Sequence, residues 1–130
     1  MKLHPKVAAL QGEVTSLRRA LHQIPELGYA ERKTQAYILE KLRSLSPDRL
    51  ETIADTGVKA VFRATGEPIS TTAFRADIDA LAILEQTGVP FASCHEGFMH
   101  ACGHDGHTAT LLAFAKLVSE NRKKLRHNVV

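Results

Sequence analysis

The apolar residues of this chain change their spacing at Pro47 and change it back near Asp105, and neither an all-helical nor an all-strand fold accommodates both periods. Val7, Leu10, Val14, Leu17, Leu21 and Ile24 recur three and four apart. That spacing stacks them on one helical face, and Pro5 suits a first turn, so a single amphipathic helix is expected over residues 5–23, ended by Pro25. A second helix is expected over 31–44, with Gln35, Ile38, Leu39, Leu42 and Leu45 on one side and Pro47 as its stop. Short runs follow at 50–53, 58–64 and 71–76, rich in Val, Ile, Thr and Phe. The turn formers Asp55-Thr56-Gly57 and Gly66-Glu67-Pro68 set them apart as strands. Residues 77–104 hold no sustained period, although 80–86 fits a helical turn, and a connection of that length is more often functional than passive. From 105 to about 123 a third helix is apolar on most sides through Leu111, Leu112, Phe114, Ala115, Leu117 and Val118, as burial against a sheet requires. The expected class is therefore α/β. Asn128-Val129-Val130 reads as the start of a further strand, so the sequence is expected to continue.

With 44% apolar and 24% charged residues the composition is that of a globular domain rather than a disordered chain. Seventeen basic and fourteen acidic side chains leave +3, spread without a basic stripe interleaved with aromatics, which argues against a nucleic-acid partner. Arg122, Lys123, Lys124 and Arg126 follow the third helix, where cations complement the negative end of its dipole. Lys2, His4, Lys6 and Gln11 interrupt any apolar stretch at the amino end, and no segment is long enough to span a bilayer. A cytoplasmic protein without membrane contact is expected. Cys94 and Cys102 are then expected to be reduced thiols.

The chemistry concentrates in residues 100–107, His-Ala-Cys-Gly-His-Asp-Gly-His. Cys102 and His104 are two apart, so in an extended segment a thiolate and an imidazole project to one side and can reach one ion at roughly 2.0–2.3 Å. Sulfur with nitrogen suits Zn, Ni, Co or Mn. Gly103 lets the backbone turn between them, and Asp105-Gly106 suits a helix start. A buried cysteine beside a helix-capping histidine is the alternative for a bare Cys-x-His pair. Three histidines and a cysteine within eight residues, preceded by Asp77-x-Asp79, favour metal. Asp77 and Asp79 lie at the carboxyl end of the strand through Phe74, where ligands gather in open α/β sheets. They could serve as ligands or as acceptors that orient an imidazole, or one could simply pair with Arg75.

The string from Ala73 through Arg75-Ala76-Asp77-Ile78-Asp79 to Leu81, followed by Met99 to Ala109, resembles the aminoacylase and amidohydrolase family of metallopeptidases. Hippurate hydrolases, N-acyl amino acid amidohydrolases and plant auxin-conjugate hydrolases belong to it. Arg18-Arg19, His22, Pro25-Glu26-Leu27-Gly28, Glu31 and Thr34 are similar to the family's amino-terminal pattern. The resemblance implies part of a zinc-peptidase-like catalytic domain, helices packed on a mixed sheet, holding one or two divalent metals such as Mn, Zn, Ni or Co. Cys102 and His104 are the implied ligands, and Asp79 supports the centre. Asp77 stands where related peptidases keep a histidine ligand. His100, Asp105 and His107 belong to the motif without being expected as ligands. His22 and Glu26 are expected to tie the first helix to the domain, while His4, His95 and His127 carry no expected role.

The same resemblance implies hydrolysis of the amide bond of N-acyl amino acids or small peptides by metal-activated water, with a glutamate as proton carrier. That glutamate, a second one that binds metal, later histidine ligands and an inserted lid domain through which the complete enzyme forms a homodimer are all expected beyond Val130. Residues 1–130 thus read as the amino-terminal portion of a catalytic domain, inactive without the rest. A metal-binding or regulatory module that lost catalysis is the alternative from another class, and a fragment with Cys102 and His104 as buried structural residues is the third.

Overall fold

The computed structural model describes residues 3–130; Lys2, one of the polar residues that break the amino-terminal apolar stretch, lies outside them. Four helices, α1 (Pro5–Ala8), α2 (Gln11–His22), α3 (Arg32–Ser44) and α4 (His104–Glu120), accompany four strands, β1 (Arg49–Ile53), β2 (Gly57–Val61), β3 (Thr71–Thr72) and β4 (Asn128–Val129). No helix among the described residues is long and apolar enough to cross a membrane.

The helix expected over 5–23 is two helices. α1 closes after one turn, and Leu10 caps the start of α2. The stripe accounts for the break, because Leu17 and Leu21 are buried whereas α1 buries no residue and its Val7 is 44% exposed. Burial of an apolar face, more than propensity, sustains a helix in water. α3 begins within a residue of expectation and ends with Ser46 in the left-handed region (φ 51°), its N–H bonded to the Arg43 carbonyl, before Pro47 blocks continuation.

β1 and β2 form an antiparallel hairpin in the register Arg49↔Val61 to Ile53↔Gly57. Its turn places Ala54 and Asp55 at positive φ, the hand that suits a twisted hairpin but is costly for side chains larger than glycine. α3 holds that turn in place. Arg32 Nη2 reaches Asp55 Oδ2 at 2.6 Å, and Gln35 Nε2 donates to the Asp55 carbonyl at 3.0 Å. β3 and β4 pair in parallel, with α4 in the crossover between them, and an antiparallel bridge from Phe62 to Val129 joins them to the hairpin. The strands thus form two two-stranded sheets, one antiparallel and one parallel, linked through that single bridge. β2 and β3 are assigned to Val61 and Thr72, shorter than the expected 64 and 76.

Residues 80–86 form no helical turn; instead Leu81 and Met99 exchange N–H···O bonds of 3.0 Å and close the long connection into a loop. α4 ends at Glu120 rather than near 123, where the Asn121 side chain donates to the Leu117 carbonyl, and a 3₁₀ turn follows at Arg122–Lys124. Arg122 is not a free cap. It donates to the Ser46 carbonyl at 2.8 Å and ion-pairs with Asp48, while Lys123, Lys124 and Arg126 remain exposed.

Leu17 and Leu21 of α2, Ile38 and Leu42 of α3, Phe62, and Ala109, Leu112, Ala115 and Val118 of α4 form one apolar cluster. Ala109, fully buried, lets α2 approach α4 closely. Leu21 is 1% exposed, so Leu21→Ala is expected to lower unfolding free energy by about 2–5 kcal/mol, measured by urea denaturation followed by circular dichroism.

Candidate metal centre

The motif lies at a corner rather than on an extended segment. Ala101 and Cys102 are in a turn, and Gly103, at φ 80°, takes the left-handed conformation that caps α4. His104 is the first residue of that helix. Glycine is needed there for its backbone freedom, not for space, since nothing stands within 4 Å of an added Cβ. The expected alternation of side chains along a strand is therefore not what presents Cys102 and His104.

His104 Nδ1 lies 2.9 Å from Asp79 Oδ1 and 3.0 Å from the Asp79 carbonyl oxygen. Both oxygens are acceptors, so Nδ1 carries a proton, and in the neutral ring Nε2 presents a lone pair on a side chain 22% exposed. Asp79 is held from behind by the bond from the Ala80 N–H to the Glu26 carbonyl, 2.7 Å. Cys102 is a free, exposed thiol, as is Cys94. A lone-pair nitrogen and a thiol at one helix start fit the donor chemistry of a borderline divalent ion. They are two donors of a set, and among the described residues no three His, Cys, Asp or Glu side chains converge into a metal cage. Asp77 behaves differently from Asp79, because its half-exposed carboxylate turns to Arg75, with Nη2 at 2.8 Å and Nε at 3.1 Å. Both aspartates line a cleft of about 780 Å³ between the hairpin, α4 and the segment after β3.

Behind the corner is a buried polar cluster. His22 Nδ1 is 2.6 Å from Asp105 Oδ2, and its Nε2 is 3.1 Å from Glu85 Oε1. Arg18 Nε reaches the same Asp105 oxygen at 2.8 Å, and Asp105 Oδ1 accepts from the Gly106 N–H. The side chains of His22, Glu85 and Asp105 are 1–5% exposed. Burial pushes the Glu85 carboxyl up, but bonds from the Thr87 hydroxyl, the Ser93 N–H and His22 outweigh it and bring it down to about 2. His100 is buried with neither ring nitrogen hydrogen-bonded, and burial holds its imidazole below the ordinary value.

His22 thus ties α2 to α4, and Glu26 anchors the start of α3, its carboxylate accepting from the Lys33 and Thr34 N–H groups and the Thr34 hydroxyl. His107 is exposed, its ring 5.9 Å from that of His104. His4 and His127 are exposed. His95 has a structural role, bonded through Nδ1 to the Pro25 carbonyl and through Nε2 to Lys33 Nζ. Glu85 is the residue that the sequence reading missed. It sits in an aperiodic loop 63 residues from its partner, and no local pattern marks it.

Residues 73–130 match the family model described as Peptidase family M20/M25/M40. Over those residues the chain is similar to the M20 family. The chain is 49% identical over 110 residues to the N-acetyldiaminopimelate deacetylase of Oceanobacillus iheyensis, covering 83% of this chain and 29% of that protein. It is 44% identical over 123 residues to the N-acetyl-L-cysteine deacetylase of Bacillus subtilis, covering 95% of this chain and 29% of the relative. The Bacillus subtilis YXEP protein, described as a dinuclear metal binding peptidase from the M20 family, superposes with a TM-score of 0.86 at 40% identity over 94% of this chain and 34% of its own. The chain therefore spans about a third or less of these proteins, and the partial catalytic-domain fold expected from the motif agrees with this neighbour.

Because Glu85 titrates near 2 folded against 4.5 as a free side chain, the stability it contributes is present above pH 4.5 and is lost as pH falls from 4.5 toward 2. Glu85→Gln is expected to flatten the pH dependence of the denaturant midpoint in that window and to leave its shape above it unchanged.

Proposed function

We propose that this polypeptide is the amino-terminal share of a metal-dependent amidohydrolase that cleaves the amide bond of N-acyl amino acids or small peptides. The observation that carries the reading is the Asp79–His104 contact, which leaves His104 Nε2 free at the same corner as the Cys102 thiol. The deacetylase names of the relatives and the dinuclear metal site of the YXEP protein support it.

A divalent ion of the Mn, Zn, Ni or Co type, one or two per complete enzyme, would supply Lewis acidity that polarises an amide carbonyl and lowers the pKa of water. Cys102 and His104 are the donors this chain offers, and the thiol gives up its proton on binding. Asp79 accepts the Nδ1 proton of His104, which fixes the tautomer and makes Nε2 a stronger donor. Asp77, engaged with Arg75, stands at the rim of the cleft and is proposed as an accessory acid only. The proton carrier and remaining ligands are proposed to lie in the part of the relatives that this chain does not cover. The lid domain through which the complete enzyme forms a homodimer belongs to that same portion. A cytoplasmic location accords with the free cysteines.

The chain with manganese or zinc and an N-acetyl amino acid is expected to release no measurable amino acid alone, and to do so when mixed with the carboxyl-terminal remainder of the enzyme. Asp79→Asn is expected to weaken metal binding by roughly 10- to 100-fold, measured by calorimetry. Hydrolysis by the isolated chain would overturn the assignment of the proton carrier. Tight one-to-one metal binding with an inactive mixture would favour a metal-binding or regulatory module instead.

A further inference from the structure

We infer that His22 is a positioning residue of the metal centre, a clamp that fixes the corner from which Cys102 and His104 are presented. This rests on the metal reading above, and its argument is geometric. Residues 100–104 carry the two donors, and both flanks of that segment trace back to one imidazole. On the carboxyl side Asp105, adjacent to His104, meets His22 Nδ1 at 2.6 Å. The other Asp105 oxygen takes the Gly106 N–H, so the carboxylate cannot swing without breaking into the first turn of α4. On the amino side His100 follows Met99, which is paired with Leu81 across the neck of the long loop. Glu85 holds that loop, with Oε1 on His22 Nε2 at 3.1 Å and Oε2 on the Ser93 N–H at 2.6 Å.

The geometry requires this particular side chain. Each ring nitrogen faces a carboxylate oxygen, and an imidazole carries two nitrogens in different directions on one rigid ring, with Arg18 Nη2 also 3.3 Å from Nδ1. Arg18, its side chain 37% exposed, joins from the rim and shares the same Asp105 oxygen. Glutamine can meet one of the two acceptors in the plane of its amide, but not both. Leu21, the neighbour on the same helix, is as deeply buried and touches the core without joining this cluster, so it separates positioning from mere stability.

The test is cobalt(II) titration of the 130-residue chain, reading affinity and the thiolate-to-cobalt absorption band, for the unaltered chain, His22→Gln, Glu85→Gln and Leu21→Ala, each at a temperature where circular dichroism shows it folded. His22→Gln is expected to lose about ten-fold or more in affinity and to weaken the thiolate band, within the range measured for residues that orient metal ligands. Glu85→Gln is expected to shift in the same direction by a smaller factor. Leu21→Ala, although less stable, should stay within about two-fold of the unaltered chain, since it orients no ligand. Equal losses in Leu21→Ala and His22→Gln, or an unchanged His22→Gln, would overturn the inference. If His22→Gln does not fold, an unchanged Glu85→Gln overturns it. A cobalt spectrum without a thiolate band in the unaltered chain, or a band that Cys102→Ser leaves unchanged, would instead sink the metal reading itself.

Discussion

The 2.6 Å contact between His22 and Asp105 is the interaction on which the rest of the arrangement depends. It joins the end of α2 to the beginning of α4, the two helices that carry most of the core, and it does so in a setting where water cannot replace either partner. Removing one partner of such a pair strands the other, which is far costlier than the pair's net contribution. Packing reinforces the contact, because Leu17 and Leu21 of α2 share one apolar cluster with Ala109, Leu112, Ala115 and Val118 of α4. The polar cluster and the apolar cluster are thus two ends of one interface.

The centre this interface supports is half of a coordination set. His104 owes its tautomer to Asp79, which stands in the connection after β3, and Asp79 owes its place to the Glu26 carbonyl from the loop after α2. Three stretches of chain that are distant in sequence therefore converge on one imidazole. Cys102 stays exposed to solvent. The donors lie on a corner, and a corner is held by what lies behind it.

Helices were legible wherever a stripe has something to bury against. α3 and α4 fall close to their expected limits, since Ile38, Leu42, Leu112 and Val118 all reach the core. The expected rod over 5–23 failed because spacing cannot say where the neighbouring surface ends, and α1 lies beyond it. The strands over 58–64 and 71–76 are shorter than expected, at Gly57–Val61 and Thr71–Thr72. At the site, residue chemistry and the family motif pointed to Cys102, His104 and Asp79, but the assumption of an extended segment was wrong, because Gly103 bends it. Asp77 and Asp79 look equivalent in sequence and part company only in space, where Arg75 takes one and His104 the other. Glu85 lay outside any local pattern, since its importance comes from a partner 63 residues away.

His22 and Asp105 are 83 residues apart. On a ribosome adding about 5–20 residues each second, roughly 4–17 s separate the emergence of the histidine from that of the aspartate that will hold it. The hairpin, whose partners are neighbours, can form in microseconds and wait. During that interval the apolar side of α2 has no surface of its own to rest on, so the nascent chain passes through a stage in which Leu17 and Leu21 are open to whatever apolar surface the cell offers, chaperones included.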